Sequence, residues 1–312
     1  MAGKRVWLVA ALSIIMGLSL NAGAAALEEK PCVGIAWSDS LSDTYFAVCQ
    51  AIEAAGGTPV ILEQVRLAGF EDDSGGMLAG LKDQDGALTL EAAKKMRRDG
   101  WRESNAAEVM EGMKVIVFPG GADISPSLYD DPQPVLIAEG FSAQRDISDY
   151  LLMTYCLDHD IPILAICRGM QMMSIVSGAE MIQDLAVYMK GLGEDYGFEH
   201  RSKPDASGAY HDFAFHNVAV TDRDSILYRL TGTDTVSRVP SWHHQAVKSV
   251  EGTPLVVTGL SATGGKTEII EAVERPDKTF ALGLQYHPEM AVARRLDETS
   301  LAYFAAIVML AR

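Results

Sequence analysis

Cys167 closes the apolar run IPILAIC and is followed by Arg168 and Gly169. A single cysteine in apolar company reads most simply as a small buried hydrophobe. Its neighbours add a second reading. Ala165 and Gly169 stand two before and two after it, the small residues that a tight strand-to-helix turn needs when it presents a nucleophile. On such a turn the thiol sits over a helix N-terminus, where unpaired N–H groups and the helix dipole favour thiolate. Activation then needs a base. His287 ends the run FALGLQYH and precedes Pro288 and Glu289. A histidine there could equally be a satisfied core or surface residue. Proline, however, pushes the residue before it toward extended geometry, and residues i and i+2 of an extended segment share a side. Glu289 is therefore expected beside His287, its carboxylate accepting the imidazole N–H and leaving the other ring nitrogen for a thiol. A third segment, PGGADISP, places Gly120 and Gly121 after KVIVF. Two glycines can simply make a turn. Beside a nucleophile they also let backbone N–H groups approach a developing oxyanion, together with the N–H of Arg168.

All three segments follow short apolar runs, and these runs belong to an alternating series. CVGIAW, TPVIL, KVIVF and IPILAIC read as strands, while TYFAVCQAIEAAGG, SDYLLMTYCLDHD and RGMQMMSIVSG read as helices. Strands apolar throughout and alternating with helices predict an α/β fold with a mostly parallel sheet covered on both faces. Ligands bind at the carboxyl ends of such strands, where the three segments stand. Further on, FAFHNVAV, PLVVTGL, EIIEAVE and FALGLQYH add short β-like runs.

The chain has 312 residues, 48% of them hydrophobic and 22% charged, enough to bury a sizeable core. Lys4 and Arg5, an apolar segment from Val6 to about Leu20 and small residues Ala22 to Ala26 have the layout of a secretory signal peptide. Residues 1–26 are expected to be removed on export to a bacterial periplasm or the exterior, leaving no membrane segment and one domain over 27–312. Removal would take the net charge from −16 to −18. A surface so acidic repels phosphate backbones, so nucleic acid is excluded as a partner. Cys32, Cys49, Cys156 and Cys167 do not make a disulfide-dense scaffold, and pairing of Cys32 with Cys49 is left open. No CxxC or HExxH spacing suggests a metal site.

The connection from about residue 66 to 112 is too long for an ordinary crossover and reads as an insertion that covers the site or builds a homo-oligomer contact. Within it DQDG resembles part of a calcium loop. The register fails, because the first and twelfth ligand positions would be Leu81 and Ala92. TLEAAKKMRRDGW looks helical, with Glu91 placed to pair with Lys95.

PGG, ICRGMQ, SWHHQ and GLQYHPE in that order, with QRD at 144–146, QDL at 183–185 and IEAVE at 270–274, resemble the class I glutamine amidotransferase-like superfamily. Within it the chain looks most like the gamma-glutamyl-gamma-aminobutyrate hydrolase and gamma-glutamyl hydrolase branch. The resemblance implies a three-layer α/β/α, flavodoxin-like fold acting without a cofactor on a small γ-glutamyl substrate. It makes Cys167 the nucleophile, His287 the general base and acid, and Glu289 its orienting partner. It brings the Gly120–Gly121 segment and the Arg168 N–H to the oxyanion, and Gln171, His243 and His244 near the glutamyl head. Adjacent residues on a strand face opposite ways, so His243 and His244 are not expected to share one ion. An ammonia-delivering glutaminase and a silent binding protein on the same scaffold stand as alternatives.

Overall fold

The computed structural model describes residues 29–70, 80–96, 100–129, 140–261 and 267–312. The expected signal segment and part of the insertion lie outside the described residues.

The apolar runs alternate between two cores. In β3 (Ile116–Phe118) and β4 (Ile163–Ile166), Ile116, Phe118, Ile163 and Ala165 join one cluster. Val117, Leu164 and Ile166 join the other, with Val115 just before β3. This is the two-residue period of a strand buried on both sides. Helix α4 (Ala143–Asp158) and helix α5 (Arg168–Val176) cover the first face. Helix α1 (Asp43–Ala54) and helix α9 (Ser300–Leu310) cover the second. The layers are α/β/α, and Pro31–Arg312 pack as one compact unit.

The sheet has eleven strands among the described residues and is mixed. Its parallel half runs β2 (Thr58–Ile61), β1 (Cys32–Ile35), β3, β4 and β11 (Ala281–Leu284). Beyond β11 the pairing turns antiparallel through β10 (Ile270–Glu274), β9 (Val256–Ser261), β6 (Ala214–Val220) and β7 (Thr235–Ser241). Two short strands, β5 (Glu180–Ile182) and β8 (Ala246–Ser249), attach to β10 through β8.

Helix α4 starts at Ala143, five residues before the start expected from the apolar pattern, with Ser142 as its cap accepting from the Arg145 N–H at 3.2 Å. Arg145, Asp146, Ser148 and Asp149 are all buried there, so the helix turns a charged face inward and hides its own periodicity. The described part of the insertion packs on this helix. Phe70, Leu88, Ala92 and Met96 enter the same core as Leu151 and Leu152. Trp101 donates to Asp158 Oδ2 at 2.8 Å. Helix α2 (Leu90–Met96) carries the expected Glu91–Lys95 pair at 3.1 Å. Asp83 accepts from the N–H groups of Asp85 and Ala87 and so closes a local turn. All four cysteines are free thiols, Cys32 and Cys49 included.

Candidate active site

Cys167 stands at the turn between β4 and α5 with φ 50° and ψ −107°, a conformation that L residues avoid. The turn is held from both sides. Its N–H donates to Leu284 O at 2.7 Å, and its carbonyl accepts from Gln171 N at 3.1 Å. A Cβ on Gly169 would overlap the Phe118 carbonyl, so only glycine lets α5 approach β3 this closely. The thiol is 5% exposed, which fits the bland reading of a buried hydrophobe, yet it lines a cavity of about 470 Å³. Its Sγ accepts from Gln285 Nε2 at 3.6 Å and lies 3.9 Å from Trp242 O.

Strand β11 lies beside β4 in parallel register, with Leu284 opposite Ile166. His287 therefore leaves the sheet at the edge where Cys167 does. Pro288 does not prolong the extended segment; it opens helix α8 (Pro288–Ala293), a position that suits a residue of fixed φ without an N–H. Glu289 falls in the first turn of α8, fully buried, and still reaches His287 Nδ1 with Oε1 at 2.6 Å. The expected contact forms at a helix start instead of along a strand. Burial disfavours the charged ring, but Glu289 and then Cys167 outweigh it and push His287 up to about 10. Gly120 fits between Cys167 and His287: a Cβ there would stand 2.9 Å from His287 Cε1 and 3.5 Å from Cys167 Cβ.

The loop after β3 is clamped from below by α4. Arg145 Nη2 donates to Gly120 O at 2.8 Å and Pro119 O at 3.2 Å, and Asp146 Oδ2 accepts from Ser125 N at 3.0 Å. The same helix holds α5, because the buried Arg168 guanidinium donates to Asp146 Oδ1 at 2.5 Å and also to Asp149. Asp146 so ties the glycine loop to helix α5, which follows Cys167. The first-turn N–H of Arg168 has no acceptor four residues back within its helix and is available to an oxyanion beside Cys167.

The SWHHQ segment splits as expected of neighbouring residues. His244 Nε2 lies 3.0 Å from Asp123 Oδ1 and its Nδ1 3.2 Å from Asp184 Oδ2. Burial opposes its protonation, yet the two carboxylates push it up to about 9. His243 points to the other side, toward Glu271, and burial lowers it to about 4. Both line the cavity, as does Gln171, whose amide is engaged with Gln245 O at 3.1 Å and Gln285 Oε1 at 3.3 Å. Asp39, Asp43 and Trp242 complete the wall near its mouth.

Among the residues that sequence reasoning missed, Gln285, Asp123, Asp184 and Glu271 carry side chains that support the site. All four lie inside segments quoted above: Asp123 in PGGADISP, Gln285 in GLQYHPE, Asp184 in QDL and Glu271 in IEAVE.

Relatives of known name are similar to part of this chain. The protein NtpR of Enterococcus hirae is 35% identical over 200 residues, 64% of this chain and 76% of its own length. The gamma-glutamyl-gamma-aminobutyrate hydrolase PuuD of Escherichia coli K12 is 28% identical over 179 residues, 56% of this chain and 63% of its own. In fold, the CTPS glutaminase domain of Trypanosoma brucei with bound acivicin is similar at a TM-score of 0.52 and 17% identity, covering 89% of this chain and 93% of that one. Residues 99–289, more than half of the chain and inclusive of every segment assembled above from β3 to Glu289, match the sequence profile of Peptidase C26, and the chain belongs to that class I glutamine amidotransferase-like family.

Proposed function

We propose that this protein is a cysteine hydrolase that cleaves the γ-glutamyl amide bond of a small γ-glutamyl compound through a thioester. The observation that carries this reading is the 2.6 Å contact of Glu289 with His287 Nδ1, on an imidazole whose pKa is further raised by Cys167, at the wall of a cavity large enough for a substrate. With His287 raised to about 10, the ring carries its proton at neutral pH, and the thiolate form of Cys167 is the attacking species.

Cys167 Sγ attacks the γ-carbonyl carbon, and the carbonyl π electrons move to oxygen, which accepts hydrogen bonds from the backbone at Arg168 and the Gly120–Gly121 loop. Collapse of the tetrahedral adduct breaks the C–N bond, and His287 gives its proton to the departing amine. The neutral imidazole then takes a proton from water; the hydroxide adds to the thioester and glutamate leaves as sulfur regains the thiolate. Glu289 holds the ring throughout, with Nδ1–H donated to its carboxylate and Nε2 turned to the chemistry. The relative named as a gamma-glutamyl-gamma-aminobutyrate hydrolase supports the amide class.

A panel of γ-glutamyl amides assayed with the wild-type protein and with Cys167→Ala tests it. Turnover of amides of larger amines by the first and none by the second is expected. Equal rates would remove Cys167 as nucleophile, and preference for free glutamine would identify a glutaminase instead. We propose further that residues 1–26 direct export, which the N-terminal sequence of protein recovered from outside the cytoplasm would check; recovery of an intact Met1 from the cytoplasm alone would refute it.

A further inference from the structure

On the far side of His243 from the reacting groups, three imidazoles converge on one carboxylate. Glu271 Oε1 lies 3.0 Å from His200 Nδ1 and 3.5 Å from His243 Nε2, and Glu271 Oε2 lies 3.6 Å from His216 Nε2. The ligand-type atoms of these four residues all fall within 4.8 Å of one another, and all four residues are buried. The rings are splayed, with His200 at 4.7 Å and 57° to His216 and at 5.0 Å and 55° to His243. Residues remote in sequence are involved: His200 from the loop before β6, His216 from β6, His243 just beyond β7 and Glu271 from β10.

Hydrogen-bond accounting inside this cluster does not close. His216 Nδ1 meets the Asn217 carbonyl at 3.2 Å, and His243 Nδ1 meets the Gln245 carbonyl at 2.9 Å. A carbonyl can only accept, so both rings carry their proton on Nδ1 and, when neutral, turn a lone pair on Nε2 toward Glu271. The carboxylate is itself an acceptor. His216 Nε2, His243 Nε2 and Glu271 Oε2 are accordingly buried without a hydrogen-bond partner, and His200 Nδ1 and Glu271 Oε1 stand 3.0 Å apart without the alignment of one. Buried acceptors that face one another without a donor are costly, and a cation among them would satisfy them. A proton on one ring would satisfy one pair and draw it to about 2.7–2.9 Å. The 3.0 Å of His200 is an ordinary N–H···O separation, while the 3.5 and 3.6 Å of the other two rings are longer than a hydrogen bond. The 3.5 and 3.6 Å separations fall within the edges, about 3.3–3.6 Å, of a tetrahedron whose centre lies about 2.0–2.2 Å from each ligand atom, and the 3.0 Å separation is shorter than such an edge.

We propose that His200, His216, His243 and Glu271 form a closed four-coordinate site for one divalent transition-metal ion of the zinc class. The Asn217 and Gln245 carbonyls are the outer partners that fix the ligating tautomers, as such carbonyls do around metal-bound histidines. No coordination position is left for substrate, so the ion is structural. It ties the loop before β6, strand β6, the β7 end and β10 to a single point directly behind the cavity wall formed by Trp242, His243 and His244. The segment that shapes the pocket thereby acquires an anchor that the short strands β5 and β8 do not supply.

Metal content is measured on the Cys167→Ala protein, which lacks the pocket thiol as a competing ligand and lacks turnover, so that the result is independent of the proposed reaction. After growth with zinc, about one equivalent of Zn²⁺ is expected, and after chelation and loading with Co²⁺ the visible d–d absorption of a tetrahedral ion should appear. Reloading should raise the thermal midpoint. Glu271→Gln and His216→Ala should each lower retained metal at least tenfold. Less than about a tenth of an equivalent, with no tetrahedral Co²⁺ band, would overturn the proposal. So would metal retained in full by Glu271→Gln, which would mark a surface ion, or an imidazolium signal from one of the three rings in ¹⁵N spectra of metal-free protein identical to those of protein given Zn²⁺. If the two variants fail to fold, the Co²⁺ titration of the unaltered ligand set decides by itself.

Discussion

The Arg145 guanidinium occupies the space that a Cβ on Gly121 would need. An arginine buried to 3% exposure thus sits directly under the loop that faces the nucleophile, and its hydrogen bonds to the Gly120 and Pro119 carbonyls aim the opposite edge of that loop at the cavity. The position of the backbone donors is set by a helix on the far side of them.

Gly121→Ala should therefore displace either the loop or Arg145. Misplacing one oxyanion donor costs about 10²–10³ in kcat, and a fall of that order with little change in KM is expected. Steady-state kinetics on a chromogenic γ-glutamyl anilide would check it; wild-type kcat would show that the loop does not serve the oxyanion.

Glu289→Gln removes the first charge that raises His287. The His287 value stands above the ordinary ~6.5, so the imidazolium persists through neutral pH and is lost only as pH rises toward about 10. In the variant this loss should come at lower pH, and the alkaline limb of kcat/KM and of thiol alkylation should move down by on the order of one to two units. An unmoved limb would mean that Glu289 does not govern the ring.

His244 offers a stability test away from the reaction. Its folded value is raised to about 9 by Asp123 and Asp184 against the pull of burial, so its contribution is full below about 6.5 and is lost as pH rises through 9. The thermal midpoint of the wild-type protein should fall across that window more steeply than that of His244→Gln. Parallel curves would place the titration elsewhere.

Asp146→Ala strips three donors of their acceptor, Ser125 N, the Ser125 hydroxyl and Arg168 Nη2, inside a core where Asp146 is fully buried. Breaking a buried ion pair from one side costs about 3–5 kcal/mol. Urea unfolding should show a lowered midpoint at unchanged slope. A loss within about 0.5 kcal/mol, as at an ordinary surface site, would count against the clamp.

The groups that meet at the cavity are legible in sequence because Cys167 and His287 follow strands that are apolar throughout, and period and turn chemistry mark such ends without tertiary information. Cys167, Gly169 and His287 fall where those patterns stop. The supports were not legible, for different reasons. Arg145 and Asp146 sit on a buried face of α4 that looks solvent-facing in sequence. Strand β7, TVSRVPS, carries arginine and proline, and β5 and β8 are three and four residues long, too short for any period. His200 lies in a loop, and nothing in its neighbours announces that three strands bring His216, His243 and Glu271 to it. The extended reading of HPE reached the right contact through the wrong geometry, because proline serves a helix start as readily as a strand.

The reversal of strand direction at β11 has a consequence for how this protein can change. Cys167 and His287 follow neighbouring parallel strands, while Trp242, His243 and His244 come from the antiparallel side. The two halves of the sheet meet along one seam, where His287 N donates to Pro240 O of β7 at 2.8 Å, so a change in the antiparallel half is felt at the imidazole.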